Sequence, residues 1–157
     1  MSDYANSKSS LVFRAKRPLG EILVEAGLIT PAQISVALSE QQQQVKLKIG
    51  EILVAHGWIE KKTIEFFVHD WQKILTNHKK KKKPLVYYFN KSGLINKQQI
   101  NLILAEQKQR KEKVRFHTLA IEKRYIKPIT VSFFLAYIFD IYINTSNLYY
   151  SLKPYEI

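Results

Sequence analysis

Apolar residues recur along this chain at helical spacing, in short bursts that repeat. Leu19, Ile22, Leu23 and Ala26 fall three and four apart, as one face of an amphipathic helix requires. Gly27 and the apolar pair Leu28-Ile29 follow, and then Ile34, Ala37, Leu38 and Gln41 resume the same spacing. The stretch Leu19-Gly20-Glu21-Ile22-Leu23-Val24-Glu25-Ala26-Gly27-Leu28-Ile29 returns as Ile49-Gly50-Glu51-Ile52-Leu53-Val54-Ala55-His56-Gly57-Trp58-Ile59. A third copy, Leu85 to Ile95, keeps Gly93-Leu94-Ile95, and a fourth, Phe116 to Ile126, keeps only the apolar pattern. Ile29, Ile59, Ile95 and Ile126 are separated by 30, 36 and 31 residues, the period of a helical hairpin.

Capping chemistry marks the ends of these elements. Pro18 suits the first turn of a helix, where its missing N–H has no intrahelical partner. Gly27 suits a left-handed residue just past the helix end, with Leu28 folding back on the last turn. Thr30, Pro31 and Gln33 then form a capping box for a longer helix. The second copy repeats this, with Ile64, Phe67, Val68 and Trp71 matching Ile34, Ala37, Leu38 and Gln41 and a helix running to about Leu75. In the third copy Asn96 and Gln99 cap a helix with Ile100, Ile103, Leu104 and Gln107. In the fourth, Pro128 opens one with Val131, Phe134, Leu135 and Ile138. The expectation is an all-α fold of tandem helical hairpins, four pseudo-repeats arranged as two related pairs, with few or no strands.

Composition and charge divide the chain further. Residues 1–16 lack periodicity and read as a flexible arm. Residues 17–77 hold the first repeat pair, 78–84 a basic linker ending at Pro84, 85–143 a degenerate second pair, and 144–157 an aromatic tail without a placement. The net charge of +12 over 157 residues is uneven, about +1 before residue 78 and about +11 after it. Attraction to a polyanion or an anionic membrane surface would therefore lie in the second half. No cysteine is present, so disulfide and thiolate chemistry are absent. The arm has no apolar core of a signal peptide, and the run Ile129 to Phe139 stops at Asp140, too short for a bilayer. A cytoplasmic protein without a transmembrane segment is expected.

The candidate chemistry is narrow. All five glycines fall on repeat positions. Gly27 and Gly57 are explained as caps, whereas Gly20 and Gly50 lie in the first turn of a helix, where glycine costs about 1 kcal/mol relative to alanine. Either hairpin packing alone or the close approach of a ligand to helix N-terminal N–H groups accounts for them. No Gly-x-x-x-x-Gly-Lys-[Ser/Thr] occurs, and His56, His69, His78 and His117 share no metal-ligand spacing. Glu21 and Glu51 are favoured by the helix dipole without any catalytic role. A non-enzymatic protein with no metal and no cofactor is expected.

At these residues the chain resembles a family. Arg17-Pro18-Leu19-Gly20-Glu21-Ile22-Leu23, with Ile34, Leu38 and Gln41 downstream, and the second Lys48-Ile49-Gly50-Glu51-Ile52-Leu53-Val54 are similar to the paired motif of MshEN-type domains, the N-terminal domains of type II secretion and type IV pilus assembly ATPases. The resemblance covers about residues 17–72. It implies binding of cyclic di-GMP through Arg17, Leu19, Gly20, Leu23, Gly27, Leu38 and Gln41 in one copy. In the other it implies Lys48, Ile49, Gly50, Leu53, Gly57, Val68 and Trp71. Pro18 occupies the usual arginine position, Lys48 replaces an arginine, and Trp71 stands where the glutamine is expected, with Gln72 next to it; a tryptophan there could stack on a base. The implied role is a regulatory adaptor, without the ATPase motor, for a pilus or secretion system. The alternative is a ligand-free protein interaction scaffold using the basic second half; a third reading is binding of nucleic acid or an anionic membrane surface by that same half.

Overall fold

The computed structural model describes residues 17–77 and 81–143; the arm, residues 78–80 of the linker and the tail lie outside them. All regular structure among the described residues is helical, as expected. Eight helices follow one another: α1 (Leu19–Glu25), α2 (Pro31–Gln43), α3 (Ile49–Ala55), α4 (61–76), α5 (Leu85–Lys91), α6 (Lys97–Gln109), α7 (Phe116–Glu122) and α8 (Pro128–Phe139). Helix α4 is α-helical over Lys61–Glu65 and Trp71–Thr76, with a π-helical turn, Phe66–Asp70, between them. The chain divides into two compact units, one ending at Lys81 and the other beginning at Lys82.

Each hairpin begins with a helix of seven residues and turns in the same way. Gly27, Gly57 and Gly93 hold φ of 71°, 71° and 76°, the left-handed conformation in which a side chain would crowd the backbone. Two backbone bonds then cover the open carbonyls of the helix end. In the first hairpin Gly27 N–H donates to Val24 O at 3.0 Å and Leu28 N–H to Leu23 O at 3.0 Å; the second and third repeat this pairing. The fourth hairpin has lost the glycine and kept the turn. Arg124 takes φ 59° there, with Arg124 N–H on Ile121 O and Tyr125 N–H on Ala120 O.

The second helices start where their caps direct. Thr30 Oγ1 accepts from Gln33 N–H while Gln33 Oε1 accepts from Thr30 N–H, and Asn96 and Gln99 make the same reciprocal pair. Pro18 stands one place outside the expected position, at the N-cap of α1, with ψ 145°. The restriction that proline places on its own φ suits either position.

In the first unit, Leu23 and Leu53 are fully buried and Phe66, Phe67 and Trp71 pack as an aromatic cluster with ring centroids 5.2–6.0 Å apart. In the second unit Phe89, Leu119, Val131 and Phe134 are fully buried, and Phe89 meets Phe134 edge-on at 5.3 Å. The apolar run from Ile129 to Phe139 is thus a core helix, closed by Asp140 in the left-handed conformation.

Two contacts join successive hairpins, and both occur at corresponding positions of each unit. Gln41 Nε2 donates to Leu47 O at 3.1 Å, and Gln107 Nε2 donates to Val114 O at 2.8 Å. Glu40 meets His56 Nε2 at 2.8 Å, and Glu106 meets Lys123 Nζ at 2.6 Å. The glutamines tie the second helix of one hairpin to the loop that leads into the next, and the glutamates tie it to the end of the next short helix.

The left-handed turn sets the expectation for its variants. An L-residue in that conformation costs about 1–2 kcal/mol, so Arg124→Gly should stabilise the second unit by roughly 1 kcal/mol, and Gly93→Ala should destabilise it by a similar amount. Urea titration followed by circular dichroism measures both; an unchanged midpoint for Arg124→Gly would show that the arginine side chain compensates for its backbone.

Candidate ligand site on the first unit

The two motif copies of the first unit come together through their short helices. Gly20 and Gly50 occupy the second position of α1 and α3, and both are buried. A Cβ on Gly20 would lie 3.1 Å from Ile34 Cδ1, and one on Gly50 would lie 2.7 Å from Ile64 Cγ2 and 3.7 Å from Leu19 Cδ2. The close approach that requires glycine is therefore made by the second helix of the same hairpin. Of the two explanations for these glycines, hairpin packing is sufficient. Leu19 of the first copy also reaches Gly50 of the second, which places the motifs side by side.

The other motif residues separate into core, joint and surface. Leu23 and Leu53 have no exposed area, and Gly27 and Gly57 serve the left-handed turns. Gln41 is committed to Leu47 O, so it closes the connection into the second hairpin. Leu38 and Val68 remain about half exposed, one turn beyond Ile34 and Ile64. Lys48 is exposed at the N-cap of α3, where its N–H donates to Glu51 Oε2 at 2.9 Å, and Ile49 is half-buried beside it. Arg17 is held by two carboxylates, its Nε 3.0 Å from Glu21 Oε2 and its terminal nitrogen 2.6 Å from Glu25 Oε2. An anion approaching Arg17 would compete with both.

Trp71 does not present its ring for stacking on a base. It is 2% exposed, packed against Phe66 and Phe67. The cause lies in the π-helical turn, where Trp71 N–H bonds to Phe66 O, five residues back instead of four. One extra residue in a turn rotates everything beyond it by about 100°, which carries Trp71 into the core and leaves Gln72 exposed. The polar position that follows Val68 is thus Gln72. Sequence alignment without the insertion assigns the wrong neighbour.

Position 20 has a different occupant in each later copy: Val86 in the third and His117 in the fourth. His117 is half-buried, and burial holds its imidazole below the ordinary histidine range, with Arg115 adding to the effect. On the joint of the second unit, Lys123 and then Arg110, both hydrogen-bonded to Glu106, hold that carboxyl below the usual carboxylate range. Arg110 also meets Glu122 at 2.9 Å. No group of His, Asp and Glu able to hold a metal occurs among the described residues. No helix among them is long and apolar enough to cross a membrane.

No family profile matches the chain, and no solved structure matches it. An uncharacterized protein of Picosynechococcus is 40% identical to it over 118 residues, 74% of this chain. The chain spans 61% of the length of that relative.

The two glycines differ in what blocks a larger residue. Ile34 Cδ1 is the far end of a side chain that can rotate away, and alanine is the better helix former by about 1 kcal/mol, so Gly20→Ala should leave stability near that of the parent. Ile64 Cγ2 is fixed to the β-carbon, and Gly50→Ala should destabilise by roughly 1–3 kcal/mol through overpacking. A cycle with Ile64→Leu tests the assignment: strict additivity of the two changes would place the crowding elsewhere. For His117 the sign follows from its lowered folded value. The unfolded chain takes up the proton near pH 6.5 while the folded one resists, so the contribution is complete above that pH and is lost as pH falls below it. Thermal melts between pH 7.5 and 5.5 should show this loss, and His117→Gln should reduce it.

Proposed function

We propose that the chain is a non-enzymatic cytoplasmic adaptor whose first unit is an MshEN-like pair of hairpins that takes cyclic di-GMP, serving a pilus or secretion system. The observation that carries this reading is the matched geometry of the two copies. Each has a glycine packed under an isoleucine of its second helix, and each leaves a residue one turn further, Leu38 or Val68, exposed beside it. Leu19 of the first copy reaches Gly50 of the second, so a ligand lying over both would have the adjoining motifs as its floor, with Arg17 and Lys48 preceding the short helices. On that floor Gln72 replaces Trp71 as the polar neighbour of the second copy.

A second reading, a ligand-free protein scaffold, is favoured by Arg17. Its two ion pairs leave it neutralised, and glycine packing needs no ligand to explain it. The two readings differ in what calorimetry returns. With cyclic di-GMP, and with GTP and linear pGpG as controls, the adaptor reading expects saturable micromolar binding of the cyclic dinucleotide alone. Lys48→Ala should weaken it by roughly 1–3 kcal/mol, the range for a charge-assisted hydrogen bond. Glu25→Gln should tighten it by releasing Arg17 from the shorter of its two contacts. Folded parent protein that shows no saturable heat would leave the scaffold reading alone standing.

A further inference from the structure

Helices α2 and α6 hold the same seat in their respective units. Over thirteen positions, Pro31–Gln43 against Lys97–Gln109, buried, half-buried and exposed residues fall at the same places in both helices. Ala37 and Ile103 point inward with no exposed area. Eight of the thirteen positions are exposed in each helix. Both helices carry large apolar residues at the same two exposed places, Val36 (45%) and Leu38 (48%) on one, Leu102 (55%) and Leu104 (43%) on the other.

The two faces differ in charge. Every exposed residue of α2 is uncharged, whereas α6 carries Lys97 and Lys108 and is followed by exposed Lys111, Lys113 and Arg115. At 3.6 residues per turn, Lys97, Asn101, Leu104 and Lys108 fall on one stripe, so the leucine stands between two cations. The nearby carboxylates are already engaged, Glu106 with Arg110 and Lys123, and Glu122 with Arg110. Glu112 is the one exposed acid between Lys97 and Arg115.

We infer that the Lys97–Asn101–Leu104–Lys108 stripe of α6 is a docking surface for an acidic protein segment, one with an apolar residue between carboxylates. The inference rests on the adaptor role proposed above for the chain and gives its second unit the docking part of that role. Charge complementarity selects the sign of the partner. The leucine selects its class, because a phosphate backbone would leave Leu104 in water and the stripe has no aromatic ring on which a base could stack. The uncharged face of α2 lacks the cations that would attract such a segment, which makes it the internal control.

Photo-crosslinking in cells that make the full chain tests this. A benzophenone amino acid is placed at position 104, at position 38 on α2, and at position 129, an exposed site on α8. Crosslinked peptides are identified by mass spectrometry. The expected result is a protein adduct at position 104 whose crosslinked segment is rich in Asp and Glu, reduced at least tenfold by Lys97→Glu with Lys108→Glu and absent at position 38. A neutral or basic segment at 104, or an adduct unaffected by the charge reversals, overturns the inference. Protein adducts at 129 without any at 104 would remove the α6 surface and leave the adaptor reading intact, whereas none at either position would remove both. Purified protein that binds a single-stranded RNA 20-mer, or vesicles containing phosphatidylglycerol, through Lys97 and Lys108 without protein adducts would also overturn it.

Discussion

Each hairpin depends on one left-handed residue placed two positions past the end of a seven-residue helix. That residue lets two backbone N–H groups turn back onto the carbonyls of the helix end, so the chain reverses within two residues and those carbonyls keep a partner. The following isoleucine then falls toward the core, buried at Ile29, Ile95 and Ile126 and half-buried at Ile59. Everything beyond, including the caps of the second helices and the contact of Ile34 and Ile64 with the short helices, is positioned by that reversal. Its retention at Arg124, where the residue itself disfavours the conformation, indicates that packing around the turn exceeds a backbone cost of about 1–2 kcal/mol.

The second level of organisation is the joint between hairpins. A glutamine satisfies a carbonyl of the connecting loop, and a glutamate meets a cationic or protonatable side chain at the end of the next short helix. These contacts sit at the surface, where a single ion pair contributes little. Their contribution is orientation: both cross from one hairpin to the next, and both recur in each unit. In the second unit the joint is the denser of the two, with Glu106, Arg110, Glu122 and Lys123 in one network.

The same packing reassigns the candidate site. A glycine with room for a ligand in the sequence reading packs against an isoleucine, a glutamine that the resemblance gives to a nucleotide supports a loop, and an arginine is shared between two glutamates. What remains exposed is a smaller set, Lys48, Leu38, Val68 and Gln72, and on the second unit a basic stripe around Leu104. The adaptor role is proposed on these exposed positions and on the matched geometry of the two copies.

Helix placement, the three glycine turns and the two reciprocal caps were legible in the chain itself, because each is decided by residues within four or five positions of one another. Thr30 with Gln33, Asn96 with Gln99, and Gly27, Gly57 and Gly93 are local chemistry. Tertiary structure alone decided the rest. The direction of Trp71 depends on a π-helical turn that has no short-range signature here, and it follows from the burial of three aromatic rings in one core. The left-handed conformation of Arg124 is imposed by its surroundings against its own preference. The purpose of Gly20 and Gly50 depends on which side chain stands opposite, Ile34 or Ile64, fourteen residues away. Periodicity marks which residues face inward, but contact across a hairpin is fixed only when both helices are in place.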